Sequence, residues 1–160
     1  MVRLLVLVTL TAIFLFVPVP GSIGTKCVCG ALFHHFWHIS WFHLAANGIG
    51  IYASSLMRGW KRRLPLAYIF ACVGYLFSSG PVIGFSNVLF ALAGMYGAEI
   101  RDYWKRRETW AFLAGLALTS VLPNVSASTH VASFLIGYVC IFFYRTIKKV
   151  VYDYERAGGK

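Results

Sequence analysis

The chain has 160 residues, 59% hydrophobic and 17% aromatic against 12% charged, and its formal charge is +10. A soluble domain carries about a quarter charged residues, and apolar runs of roughly 15 to 20 residues are the length of membrane spans. An ordinary water-soluble globule is therefore excluded, and the expected class is an all-α polytopic membrane protein in one domain, residues 1–160.

Six spans are predicted, giving a six-transmembrane-helix bundle. The first covers about 4–19 and ends at Val17-Pro18-Val19-Pro20. One arginine before an apolar stretch is also compatible with a signal peptide, but no small-residue cleavage pattern follows cleanly. The second span, about 36–57, stops at Arg58-Gly59-Trp60-Lys61-Arg62-Arg63. The third, about 64–79, begins at Leu64-Pro65, with the proline in the first turn where its missing N–H costs little. The fourth runs about 86–100, and the irregular stretch Gly80 to Phe85 before it must be buried in protein or line water. The fifth covers about 110–122 and closes at Pro123-Asn124; the sixth covers about 128–147 and leads into a basic tail.

This threading puts fourteen of the fifteen Lys and Arg on one side of the membrane. They are Arg3; Arg58, Lys61, Arg62 and Arg63; Arg101, Lys105, Arg106 and Arg107; and Arg145, Lys148, Lys149, Arg156 and Lys160. Only Lys26 falls on the other side. The bias is the positive-inside pattern, so both termini are expected to be cytoplasmic. The charge then reflects topology and contact with anionic lipid. The bilayer is an expected partner and nucleic acid is not.

The second, fourth and sixth spans run in the same direction and meet their first arginine at Arg58, Arg101 and Arg145. Fifteen residues before each stand His43, Ser86 and His130. At about 1.5 Å per residue, all three lie roughly 22 Å above the arginine level, in the outer part of a bilayer core about 30 Å thick. Ionisable residues at that depth are functional candidates. A serine opening a helix is also an ordinary N-cap. All five acids (Glu99, Asp102, Glu108, Asp153, Glu155) fall at the cytoplasmic side. Paired carboxylates and a His-Glu-x-x-His zinc helix are thereby excluded, and a serine activated by histidine alone remains. No cofactor or metal is called for.

These residues resemble the rhomboid intramembrane proteases. His38-Ile-Ser-Trp-Phe-His43-Leu-Ala-Ala-Asn47 looks like that family's His-x4-His-x3-Asn pattern, and Gly84-Phe85-Ser86-Asn87 is similar to its Gly-x-Ser-x motif. His130, followed by Ser133-Phe-Leu-Ile-Gly137, stands where the family has its second catalytic residue and its glycines. The resemblance implies an intramembrane serine endopeptidase that cleaves transmembrane protein substrates, with Ser86 as nucleophile and His130 as base. It implies an oxyanion hole from His43, Asn47 and the Ser86 N–H, a supporting role for His38 and Gly84, and Phe90 packed on the catalytic imidazole. The active site would open to the extracytoplasmic side. Gly94, Gly97 and Ala98, with Ser133 and Gly137, are small residues spaced for close approach of the fourth and sixth spans.

The first loop, about 20–35, is short and lacks the family's Trp-Arg element; Asn87 replaces a small residue, and Ser133 a glycine. Two other functions fit parts of the sequence. A metal-handling membrane protein would use Cys27, Cys29, His34, His35, His38 and His43, which cluster near the outer face. A catalytically silent rhomboid-like protein would bind client helices without cutting. Cys72 and Cys140, inside apolar runs, are expected to be small buried side chains.

Overall fold

The computed structural model describes residues 1–18, 28–78, 82–100, 109–110, 114 and 126–158. The expected fifth span at 110–122, the cytoplasmic run Arg101 to Arg107, Pro123-Asn124, and Lys26 with Cys27 lie largely or wholly outside the described residues.

Among the described residues the regular structure is helical. The bounded helices are α1 (Val2–Phe16), α2 (Val28–Phe33), α3 (Trp41–Ser55), α4 (Trp60–Tyr75), α5 (Ser86–Glu99) and α6 (Ala127–Gly158). A 3-10 turn, His34–Phe36, follows α2.

The all-α expectation fits these helices, but the six-span bundle does not. A helix of 14 to 16 residues, as in α1, α3, α4 and α5, is about 21–24 Å long, short of a core about 30 Å thick. Among the described residues, one helix is long and apolar enough to cross a membrane, α6 with 32 residues. Only 22% of its apolar window is buried inside the protein, unlike the core helix of a soluble fold. Apolar runs overstated helix length because helix ends here are set by local chemistry. Residues 36–40 are not part of α3: Ser40 is extended, its hydroxyl accepts the His43 N–H at 3.1 Å, and the helix starts after it. Gly59, at φ 75°, turns the chain sharply enough for α4 to begin at Trp60. Pro65 therefore sits inside α4 rather than in its first turn. The expected basic tail after residue 147 is helical, a continuation of α6 to Gly158.

The most extensive packing is between α5 and α6, with α4 against both. A Cβ on Gly94 would collide with the Phe134 carbonyl oxygen, and one on Gly137 with that of Ala91. The α5 and α6 backbones therefore touch, which any side chain at either glycine would prevent. Ser133 is buried and fills the space against Gly74 of α4. Gly97 and Ala98 are half-buried on α5. Cys72 is half-buried and Cys140 is exposed, against the expectation of burial. Cys140 lies close to where α6 outruns its neighbours, and residues from Phe142 to Gly158 are all exposed.

The helices share two ends. At one, Arg3 of α1 donates to the Ser55 hydroxyl at the close of α3. Arg63 of α4 pairs with Glu99 at the close of α5, and Arg145 of α6 donates to the Ala98 and Glu99 carbonyls at 2.7 Å each. The other end gathers the starts of α3, α5 and α6.

Candidate active site

At that second end, the Ser86 hydroxyl and His130 Nε2 lie 2.7 Å apart. Ser86 is the first residue of α5; Phe85 is its cap residue, and no side chain caps the helix. The N-cap explanation for a serine here is thus replaced: the hydroxyl partners an imidazole 44 residues away. Phe90 lies one turn along α5 and stacks on His130, with ring centroids 4.3 Å apart and planes at 19°. The stacked ring fixes the imidazole plane, so that Nε2 points at the hydroxyl.

Two further side chains flank the dyad. His43, in the first turn of α3, and Asn47, one turn later, are fully buried, and both line the backbone at Gly84. Gly84 has φ 115°, where an L side chain is strained, and a Cβ there would strike the His43 ring. The described part of the irregular segment, Val82 to Phe85, is buried in protein. His38 is buried edge-on to His43, with centroids 5.1 Å apart.

The ring nitrogens of His43 and both amide atoms of Asn47 have no hydrogen-bond partner among the described residues. An unsatisfied buried polar group costs roughly 1–3 kcal/mol. Several of them stand side by side, next to a paired serine and histidine, as a buried polar cluster. Such groups are expected where a buried site serves chemistry rather than stability.

Sequence reasoning missed the support beneath Ser86. The His34 carbonyl accepts the Gly84 N–H at 2.9 Å. The His34 ring bridges two elements: Nδ1 donates to the Gly30 carbonyl at 2.8 Å, and Nε2 accepts from the Asn87 amide at 3.0 Å. This tautomer satisfies all three groups with a neutral ring. Burial pulls the imidazole down to about 4, against the raising effect of its carbonyl partners. His34 also stacks on Tyr75 and lies tilted against His35, at 4.5 and 3.6 Å between centroids, and His35 Nε2 lies 3.6 Å from the Cys72 sulfur. The two features that departed from the familiar pattern, the short first loop and Asn87, are therefore partners. The only signal in the sequence was that both are polar residues in apolar surroundings.

The described members of the metal set do not assemble. Among the described residues, no group of three or more His, Cys, Asp or Glu side chains could hold a metal ion. Cys29 is exposed, while His34 and His35 are engaged with Asn87 and Cys72. Cys27 lies outside the described residues.

Fold and site together define a helical protein with, among the described residues, one candidate membrane-crossing helix and a buried serine–histidine pair on α5 and α6. Comparison with known protein families finds no matching family model, and comparison with curated proteins finds no match.

Proposed function

We propose that the chain is an intramembrane serine endopeptidase of rhomboid-like type, cleaving transmembrane protein substrates with Ser86 as nucleophile and His130 as general base. The observation that carries this reading is the 2.7 Å contact between a buried hydroxyl, not used to cap its helix, and a buried, ring-stacked imidazole.

The chemistry needs nothing beyond these residues and water. His130 Nε2 takes the hydroxyl proton as Ser86 Oγ attacks the scissile carbonyl. The carbonyl π electrons move to oxygen, and His43, Asn47 and the Ser86 N–H donate to that oxyanion. His130 then passes its proton to the departing amine, leaving an acyl-serine. Water, deprotonated by the same imidazole, releases the acid and restores Ser86. No carboxylate is required, because the imidazolium exists only transiently.

Depth follows from α6. Ala127 to Tyr144 is an uncharged stretch of 18 residues, and His130 is its fourth. If α6 crosses the bilayer, the dyad lies inside it, near one face. The shorter helices enter with α6 by packing on it, without each spanning the core. The arginine end faces the cytoplasm under the positive-inside rule. The N-terminus, where Arg3 meets Ser55, and the extension of α6 beyond Arg145 then share that side, and the dyad opens toward the extracytoplasmic face.

A cleavage assay on a single-span substrate in reconstituted vesicles tests the proposal. Ser86→Ala and His130→Ala should each abolish cleavage while the protein still inserts. Loss of a nucleophile costs several orders of magnitude, so residual activity above about a hundredth of wild type counts against the mechanism. An inactive wild type that still binds the substrate helix would instead support the silent client-binding protein.

A further inference from the structure

The arginine end of the molecule contains a cavity that the cleavage chemistry does not use. It measures about 920 Å³ and lies among the α3–α4 turn, the start of α4, the close of α5 and the middle of α6. Among the described residues its charged rim is Arg58, Arg62, Arg63 and Arg145 with the Glu99 carboxylate. Its inner wall is apolar, with Met57, Leu66, Met95 and Ile141.

Two of the arginines are already committed. Arg63 binds Glu99 and the Arg58 carbonyl, and its guanidinium lies 5.0 Å from the centre of the Tyr96 ring. Arg145 closes the C-terminus of α5 through two carbonyls. Glu99 is thereby neutralised. Arg58 and Arg62 are exposed and make no ion pair among the described residues. Two guanidinium groups with no ion pair among the described residues line one cavity, and a guanidinium is the side chain best matched to phosphate oxygens.

Depth identifies the kind of phosphate. The uncharged stretch from Ala127 to Tyr144 is 18 residues, about 27 Å of helix, and Arg145 is the first charge after it. With α6 across a bilayer, Arg145 and the cavity rim stand at the headgroup level, and the apolar wall stands at the level of the acyl chains. We propose that this cavity binds an acidic glycerophospholipid, with Arg58 and Arg62 holding the phosphodiester and Leu66 and Ile141 lying along an acyl chain. A zwitterionic lipid carries its own ammonium beside the phosphate and gains less from the rim. The site rests on α6 crossing the membrane and is independent of the peptidase reading.

The test uses the full chain in mixed micelles, with bound lipid read by native mass spectrometry. Phosphatidylglycerol and phosphatidylcholine are titrated against wild type, Arg58→Gln/Arg62→Gln and Lys148→Gln/Lys149→Gln. The last variant removes the same charge from α6 beyond the cavity. Juxtamembrane basic residues give gains of about a factor of five each, so one saturable phosphatidylglycerol should be held at least about tenfold more tightly than phosphatidylcholine. The arginine variant should lose that preference, and the lysine variant should keep it within about twofold. Equal loss in both variants would overturn the site in favour of diffuse attraction. Equal retention of both lipids by wild type would overturn the acidic specificity. Displacement of bound lipid by millimolar inorganic phosphate would assign the cavity to a soluble phosphate compound and overturn the lipid assignment. Cleavage of the single-span substrate in the same preparations reports separately on the peptidase.

Discussion

The two ends of α5 are about 20 Å apart and are built on opposite principles. At Glu99 the carboxylate is paired with Arg63, and the Ala98 and Glu99 carbonyls accept from Arg145. At Ser86 the polar groups are buried more deeply, yet His43 and Asn47 have no hydrogen-bond partner among the described residues. The matched end stabilises the fold at the solvent or headgroup boundary. The unmatched end costs stability and holds polar groups beside the serine–histidine pair. The difference teaches that polar residues on the same short helix can serve stability or chemistry, and that hydrogen-bond satisfaction tells them apart.

The contrast is sharpened most by the unmatched donors. His43→Ala and Asn47→Ala should each lower turnover roughly tenfold to a thousandfold with substrate binding nearly unchanged, because the oxyanion exists only in the tetrahedral intermediate. Asn47→Leu should lose as much turnover yet unfold no earlier than wild type, since it removes unsatisfied buried polar atoms while keeping volume. Parallel loss of turnover and thermal stability in Asn47→Leu would make the residue a packing element and break the comparison.

The contact that holds the two catalytic helices together should give an intermediate effect. Gly94→Ala drives a methyl into the Phe134 carbonyl and should destabilise the protein by about 1–3 kcal/mol. Turnover should fall too, because separating α5 from α6 lengthens the Ser86–His130 contact. A melting temperature and a rate both equal to wild type would mean that the helices do not meet at this glycine.

The smallest effect belongs to the matched end. Glu99 and Arg63 are partly exposed, so Glu99→Gln should cost no more than about 1 kcal/mol and leave turnover unchanged. A large loss of turnover would show that the two ends are coupled.

Much of the site was legible before the fold was known, and for a physical reason. Equal spacing from arginines suggested one height for His43, Ser86 and His130, and Ser86 and His130 do meet, although Arg101 lies outside the described residues. The start of α5 at Ser86 was legible because glycine and proline precede it. The span count was not legible. Hydropathy measures how long a run avoids charge, whereas Ser40 and Gly59 decide where α3 and α4 begin, and both lie inside or beside such runs. Long-range pairs were also beyond reach. His34 and Asn87 are 53 residues apart and Arg63 and Glu99 are 36 apart, and neither residue type at those positions announces its partner. Ser133 illustrates a middle case: its small size was read as close packing with α5, and the contact with Gly74 of α4 was not foreseen.

The central claim is that His130 makes Ser86 nucleophilic. Its most direct measurement is the intact mass of the detergent-solubilised chain after treatment with a fluorophosphonate, which marks an activated serine with no need for a known substrate. The account predicts one adduct, mapped to Ser86, formed by wild type and by Glu99→Gln and absent from Ser86→Ala and His130→Ala. Labelling of Ser86 at the wild-type rate in His130→Ala, or no labelling of a folded wild type, would contradict it.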